Sequence, residues 1–363
     1  MNVTGNITGI KYKIFLTENL KEINLDVFDI NTVPAACIIV NGQSKYAISK
    51  WVSPKRTRSY PFERVYNSLS SSKRITVIPI VKDEGEVGDR DFLQWDTVSL
   101  MSLLDVYVIF AYYDKASVRN KKITKQQFNN DYIISKIKEI EEYHSSALHW
   151  NLNELNTNLH LLIEKVKISY SFIEKTTGIK LHNSKGIDNF KSNIGDDVSH
   201  FMEFSREKAK QAQSREYVTH QPKESLLTLS KAKITILNYL GGKYFLTVDE
   251  ILIEGQNIKL IEGKHSQNGL LPSKGDIKDG LLKMILYSNL CNVFFNEKTI
   301  NSQAVLSLTS TKIKKNFSSE NSDKEINLFI TENNFSPRQK NIIEIIIKEA
   351  RENNFIVKVQ YSK

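Results

Sequence analysis

The stretch Thr247-Val-Asp-Glu-Ile-Leu-Ile-Glu-Gly-Gln-Asn-Ile-Lys-Leu-Ile-Glu-Gly-Lys-His-Ser266 constrains the chain more than any other segment. Two branched apolar runs flank Gly255-Gln256, a pattern that predicts an antiparallel hairpin. Ile258, Leu260 and Ile261 make the second strand too apolar for an exposed edge. Ile277, Leu281, Leu282 and Ile285 then follow at helical spacing. A buried strand leading into an amphipathic helix points to an α/β fold built on a mixed sheet.

The same hairpin concentrates charge. With Gly255-Gln256 as a two-residue turn, Glu254 faces Asn257, and continuing the count sets Asp249 against Glu262. Period-two alternation puts Lys264 on the face of Glu262, and Ser266 on that face too. Residues directly across a ladder lie about 4.5–5.5 Å apart at Cβ, where two carboxylates repel unless something neutralises them. A hard cation such as Mg²⁺, which takes a few carboxylate oxygens and keeps waters, does so. Lys264 beside it would orient a water or stabilise charge building on a phosphate. Asp249 and Glu262 are therefore the candidate Mg²⁺ ligands, and Asp249, Glu262 and Lys264 the candidate catalytic residues. A three-residue turn centred on Gln256 would pair Glu250 with Glu262 instead, so Glu250 is the rival ligand.

Asp249, followed thirteen positions later by Glu262-Gly-Lys264 in a hairpin that precedes a helix, resembles the PD-(D/E)XK nuclease superfamily, with type II restriction endonucleases nearest in size and layout. The resemblance covers roughly residues 187–363, and its specific part is confined to 249–266. Val248 stands where the motif's proline would be. The resemblance implies a sequence-specific, Mg²⁺-dependent endonuclease acting on double-stranded DNA. The alternatives are a nuclease that reads structure or modified bases, and a nucleic-acid-binding protein without catalysis. Family members often add an acid from the helix before the sheet, which makes Glu203 and Glu207 further candidate ligands; Ser266, on the face of Lys264, is a candidate phosphate contact. One such site cuts one strand, so a double-strand cut at a palindrome implies a homodimer.

The remaining chain supports this frame. Its 363 residues carry 50 Lys and Arg against 41 Asp and Glu, a net charge of +9 that suits a polyanion partner. Residues 50–74 hold seven basic side chains against Glu63 alone, interleaved with Trp51, Tyr60, Phe62 and Tyr66. Lys55, Arg56, Arg58 and Arg64 there are candidate DNA contacts. The acidic stretch 82–114 follows directly and offers these cations internal partners. Its Asp89 and Asp91 alternate in a glycine-bracketed loop without a lysine at the matching place, which reads as a polar loop or helix cap.

The sequence divides into an N-terminal α/β domain over 1–116, a helical bridge over 117–180 that could carry the dimer contact, and the nuclease-like domain over 181–363. Expected elements include a hairpin about Asn41-Gly42, a strand at 74–81, a helix at 94–104 and a strand at 106–113. A polar stretch at 182–195 and a helix at 197–213 follow. After them come a strand at 233–239, the hairpin at 244–266 and a helix at 274–290. Strands at 304–308 and 327–330, a helix from Pro337 and a strand at 355–361 complete the chain. Ser273 with Asp276, and Ser336-Pro337 with Gln339, are helix-start signatures. Cys37 and Cys291 stand apart and His144 and His149 fall at no ligand spacing, so zinc and Ser-His-Asp chemistry find no support. No stretch reaches the ~18 apolar residues of a membrane span. The opening residues lack a secretory pattern, and the expectation is a cytoplasmic protein.

Overall fold

The computed structural model describes residues 1–55, 61–194, 198–218 and 231–362. The chain is mixed α/β, as expected, and forms two compact units: Met1–Glu18 with Ala209–Lys363, and Asn19–Lys208. Residues 1–116 thus contribute to both units, and the expected helical bridge lies wholly within the second. The reason is strand pairing at long sequence separation. Asn2–Ile7 pairs in parallel with Ala232–Asn238, which no compositional boundary reveals. No helix among the described residues is long and apolar enough to cross a membrane.

In the Asn19–Lys208 unit a five-stranded sheet runs in the order Glu22–Asn24, Ala36–Asn41, Ser44–Lys50, Arg74–Pro79, Tyr107–Ala111. The expected hairpin is present, but Asn41 pairs with Ser44, so its turn is Gly42-Gln43, with Gly42 at φ 56°. The helix Trp95–Leu103 is buried along its whole length. Residues 117–180 are not helical throughout. Tyr113–Arg119 and Lys122–Phe128 form a hairpin closed by Asn120 and Lys121, both at positive φ, before the helices Asn130–Glu141 and Ala147–Thr177. This hairpin is polar and half exposed, so it leaves no apolar period to read. The polar stretch 182–195 contains a helix, Lys185–Ile194, anchored by buried Ile187, Phe190 and Ile194.

The other unit carries two sheets. One runs Lys243–Val248, Ala232–Asn238, Asn2–Ile7, Cys291–Phe295, Lys298–Thr299; the second runs Glu250–Glu254, Asn257–Ser266, Asn301–Ser310, Ile356–Tyr361, Phe317–Ser318. The segment expected as one hairpin over 244–266 is therefore split: Lys243–Val248 belongs to the first sheet, and the chain bends at Asp249 into the second. From Asn257–Ser266, the motif strand, the chain crosses through helix Lys274–Ser288 and returns in parallel as Asn301–Ser310, with Lys264 opposite Leu308. Such a parallel return requires a crossover, and a helix supplies it.

One expected strand is a helix. Residues 327–330 lie in Asp323–Glu332, which starts at a capping box of Ser322 with Glu325 and buries Ile326, Phe329 and Ile330. The apolar cluster reads as a strand when taken alone, but the i, i+3, i+4 spacing and the cap decide for helix. The Ser336 and Gln339 capping box with Pro337 opens Pro337–Glu352 as expected.

That last helix holds the N-terminal segment through a buried carboxylate. Glu349 accepts hydrogen bonds from the backbone N–H groups of Phe15 (3.0 Å) and Leu16 (2.9 Å) and from the Tyr12 hydroxyl (2.9 Å). Hydrogen bonds contribute about 0.5–1.5 kcal/mol each, and Glu349→Ala removes the acceptor of all three, so a loss of about 3 kcal/mol is expected. Urea denaturation checks this. A loss below about 1 kcal/mol, the worth of one ordinary hydrogen bond, would mean the segment docks by other contacts.

Candidate active site

The motif strand is buried chiefly on the face of Ile258, Leu260 and Glu262, with Ile261 buried on the other. Ile258 and Leu260 are fully buried, and Glu262 retains only 1% of its surface. Gly255, at φ 62°, opens a two-residue turn that pairs Glu254 with Asn257 and Glu250 with Ile261. The count therefore brings Asp249 to the level of Glu262. Asp249 sits in the bend before the strand, and its Oδ2 accepts the N–H of Gly263 at 2.9 Å. Glu250 is placed differently. It pairs with Ile261, which alternation turns to the face opposite Glu262, and the cation it feels is Lys358.

Around Glu262 the charges interlock. Lys264 Nζ lies 2.9 Å from Glu262 Oε1 and 2.6 Å from Asp279 Oδ2. Lys283 Nζ lies 2.8 Å from both Glu262 oxygens. Asp279 and Lys283 are one helical turn apart on Lys274–Ser288, so the helix presents an acid to the strand's lysine and a lysine to the strand's acid. Its close approach depends on Gly280: a Cβ there would stand 2.6 Å from Leu306 Cδ1 and 3.4 Å from Lys264 Cε.

Burial and charge pull the two acids apart. Burial, reinforced by the charge of Glu262, pushes the Asp249 carboxyl up to about 7. Burial would also raise Glu262, but Lys283 and Lys264 outweigh it and hold that carboxyl below its usual range. Burial works against the charge of Lys283, yet Glu262 and then Asp249 drive its ammonium well above the ordinary lysine value. Lys264 is raised as well, Glu262 overcoming its burial.

Asp279 and Lys283 escaped the sequence reading, which took this helix for its apolar stripe; the Asp-x-x-x-Lys spacing was the available signal. The depth of Glu262 also changes what mutation would do. Truncating it to alanine would strand a buried ammonium, so the conservative test is Glu262→Gln.

Other expected site residues are dispersed. Ser266 Oγ accepts the Gly269 N–H at 2.9 Å and so closes the strand's end. Glu203 and Glu207 are exposed and fall in the part of helix Val198–Val218 that belongs to the other unit. Lys55 pairs with buried Asp91 at 2.5 Å, and Arg64 donates to the Lys50 carbonyl at 2.8 Å. Lys50, Lys73 and Arg74 likewise donate to backbone carbonyls. Much of the described basic stretch is therefore engaged within its own unit. Arg56 and Arg58 lie outside the described residues. In the acidic loop, buried Asp83 accepts the Gly85 N–H at 2.8 Å and lies 2.7 Å from His182 Nδ1, the work of a structured loop.

Among the described residues no group of three or more His, Cys, Asp or Glu is arranged to hold a metal. The available donor set is the pair Asp249 and Glu262. That set suits Mg²⁺, which binds through one or two carboxylates and keeps several waters, and the repulsion raising Asp249 is one that a divalent cation relieves. Comparison with protein-family models, curated proteins and solved structures finds no match.

The raised acid has a consequence for stability. Between the ordinary value of 3.8 and the folded value of about 7, the folded chain keeps a proton on Asp249 that the unfolded chain has released. Metal-free stability from this group is therefore highest below that window and falls as pH rises through it, by no more than about 4 kcal/mol. Urea denaturation in chelator at pH 5 and pH 7.5 should show a smaller fall for Asp249→Asn than for the wild type. Equal falls would remove the assignment.

Proposed function

We propose that the chain is a Mg²⁺-dependent endonuclease of the PD-(D/E)XK kind that hydrolyses phosphodiester bonds in double-stranded DNA, in the manner of a type II restriction enzyme. One observation carries the reading: the two-residue turn at Gly255-Gln256 sets Asp249 level with Glu262, while Lys264 lies 2.9 Å from that carboxylate. The order of hairpin, crossover helix and parallel strand supports it as a scaffold for such a core.

In this reading Asp249 and Glu262 hold the cation. Bound there, Mg²⁺ supplies Lewis-acid activation of a water and of the phosphate. Lys264 carries the second part of the work. Its ammonium, raised and held by Asp279, stays charged at neutral pH and stabilises the negative charge that develops on the phosphate. Asp279 acts through Lys264 and is a positioning residue. The burial of Glu262 keeps competing water from its carboxylate.

A second reading has its own support. The same network, with Glu262 satisfied by two ammonium groups, suffices as a buried structural ion cluster in a nucleic-acid-binding protein without catalysis. Incubation with unmodified plasmid and Mg²⁺ separates the readings. Discrete bands favour the restriction-type enzyme, cutting of modified or branched substrates only favours a structure- or modification-dependent nuclease, and no cutting favours the binding protein. Double-strand cutting at a palindrome further calls for a homodimer, and helix Ala147–Thr177, which leaves Leu161, Ile168 and Phe172 exposed, is the surface proposed for its contact. Light scattering of the DNA complex reports the stoichiometry, and a one-to-one complex that cuts both strands would remove the dimer.

Lys264→Ala and Glu262→Gln should each lower cleavage by about a hundredfold or more, with circular dichroism unchanged. Wild-type cutting by either variant would overturn the site. For the basic stretch, Arg56→Gln combined with Arg58→Gln should weaken DNA binding and reduce its log–log salt slope by about 1.8, at 0.9 per phosphate contact. Lys55 is left intact in that test because it is ion-paired with buried Asp91. An unchanged slope would mean these arginines do not meet phosphate.

A further inference from the structure

Resting on the metal-site reading above, we propose that Lys283 is a built-in counter-cation: its ammonium occupies the Glu262 carboxylate that a divalent cation would use, and the cation binds only as Lys283 withdraws.

The geometry distinguishes the two lysines. Lys264 lies 2.9 Å from Glu262 Oε1 and is tethered to Asp279 at 2.6 Å, so it keeps an anionic partner when Glu262 turns to a metal. Lys283 has no such second anchor among the described hydrogen bonds. Both of its contacts, each 2.8 Å, go to the two oxygens of Glu262. It therefore sits on the carboxylate edge that a cation would occupy.

The means of withdrawal is also present. The helix Lys274–Ser288 is held by the Ser273 cap and by buried Ile277, Leu281, Leu282 and Ile285, and need not move. A lysine places its charge on a flexible four-carbon stem, so the ammonium can swing clear of Glu262 while the backbone stays in place. Lys283 side-chain exposure of 17% leaves a route outward.

The physical consequence is a site stable without metal but weak for it. Two carboxylates at close quarters would destabilise the metal-free fold; Lys283 offsets this and becomes the charge that an arriving cation must displace. A purely structural salt bridge predicts only a loss of stability on its removal. A counter-cation predicts a gain in metal affinity.

The test uses the full-length protein, stripped with chelator, at fixed pH and without DNA, with free Mn²⁺ followed by electron paramagnetic resonance. Lys283→Met should bind Mn²⁺ about tenfold or more tightly than the wild type, the effect expected from removing one adjacent like charge. Lys283→Gln serves as the second variant if the first does not fold. In the wild type, amine acylation read by mass spectrometry should increase at Lys283 on adding Mn²⁺, a measurement that needs no variant. Unchanged or weaker Mn²⁺ binding in the variants, or unchanged acylation in wild type that does bind Mn²⁺, would overturn the role of Lys283 and leave the nuclease reading standing. Absence of Mn²⁺ binding in every protein would overturn both the role and the metal site, while cleavage of DNA remains an independent measure of the activity.

Discussion

A carboxylate with 1% of its surface exposed cannot remain ionised alone, and the C-terminal architecture follows from how Glu262 is satisfied. Two ammonium groups stand beside it, one from its own strand and one from the covering helix. The helix comes close enough for Lys283 to reach, which places Gly280 where a Cβ would stand 2.6 Å from Leu306 Cδ1. Lys264 in turn is balanced by Asp279 on the same helix. Strand, crossover helix and parallel return are thus tied by one ion network as well as by their apolar faces. The desolvation cost of such a network is large, and it persists because each member is paired.

The same economy of charge runs through both units. Lys136 joins buried Glu154 at 3.0 Å, Lys278 meets Glu18 at 2.8 Å, and Lys55 meets Asp91. Several cations of the basic stretch donate to backbone carbonyls of their own unit. A net charge of +9 therefore does not translate directly into a basic binding face, because part of it is used internally to satisfy buried acceptors. Clustering in sequence is a statement about neighbours along the chain. Whether a cation faces solvent or a buried acid is set by the fold.

Local signals were legible where the physics is local. The Ser336, Pro337 and Gln339 signature opens a helix because hydroxyl and amide satisfy terminal N–H groups within three residues, and Gly255 supplies the positive φ that its two-residue turn needs. The 327–330 segment misread as a strand shows the limit: four apolar residues suit either period, and the capping box at Ser322 held the answer. The polar hairpin before Asn130 carried no apolar period because half of its residues are exposed and few are buried. The helix at Lys185–Ile194 was hidden by its polar residues, although Ile187, Phe190 and Ile194 sit on one face.

By itself the sequence determined the α/β class, a turn about Gly255-Gln256 and the shared face of Glu262 and Lys264; whether Asp249 or Glu250 stands level with Glu262 hung on the turn length, which the fold sets at two residues. Those are properties of a short hairpin, in which turn length sets every cross-strand pair. Tertiary structure decided what no local count could reach: that Asn2–Ile7 joins a sheet more than two hundred residues away in sequence, that the chain changes sheets at Asp249, and that Asp279 and Lys283 complete the charge network. Each depends on which distant surfaces meet once apolar faces are buried. The pattern of one strand carries its own geometry, whereas the partners of a buried charge are chosen by the packing around it.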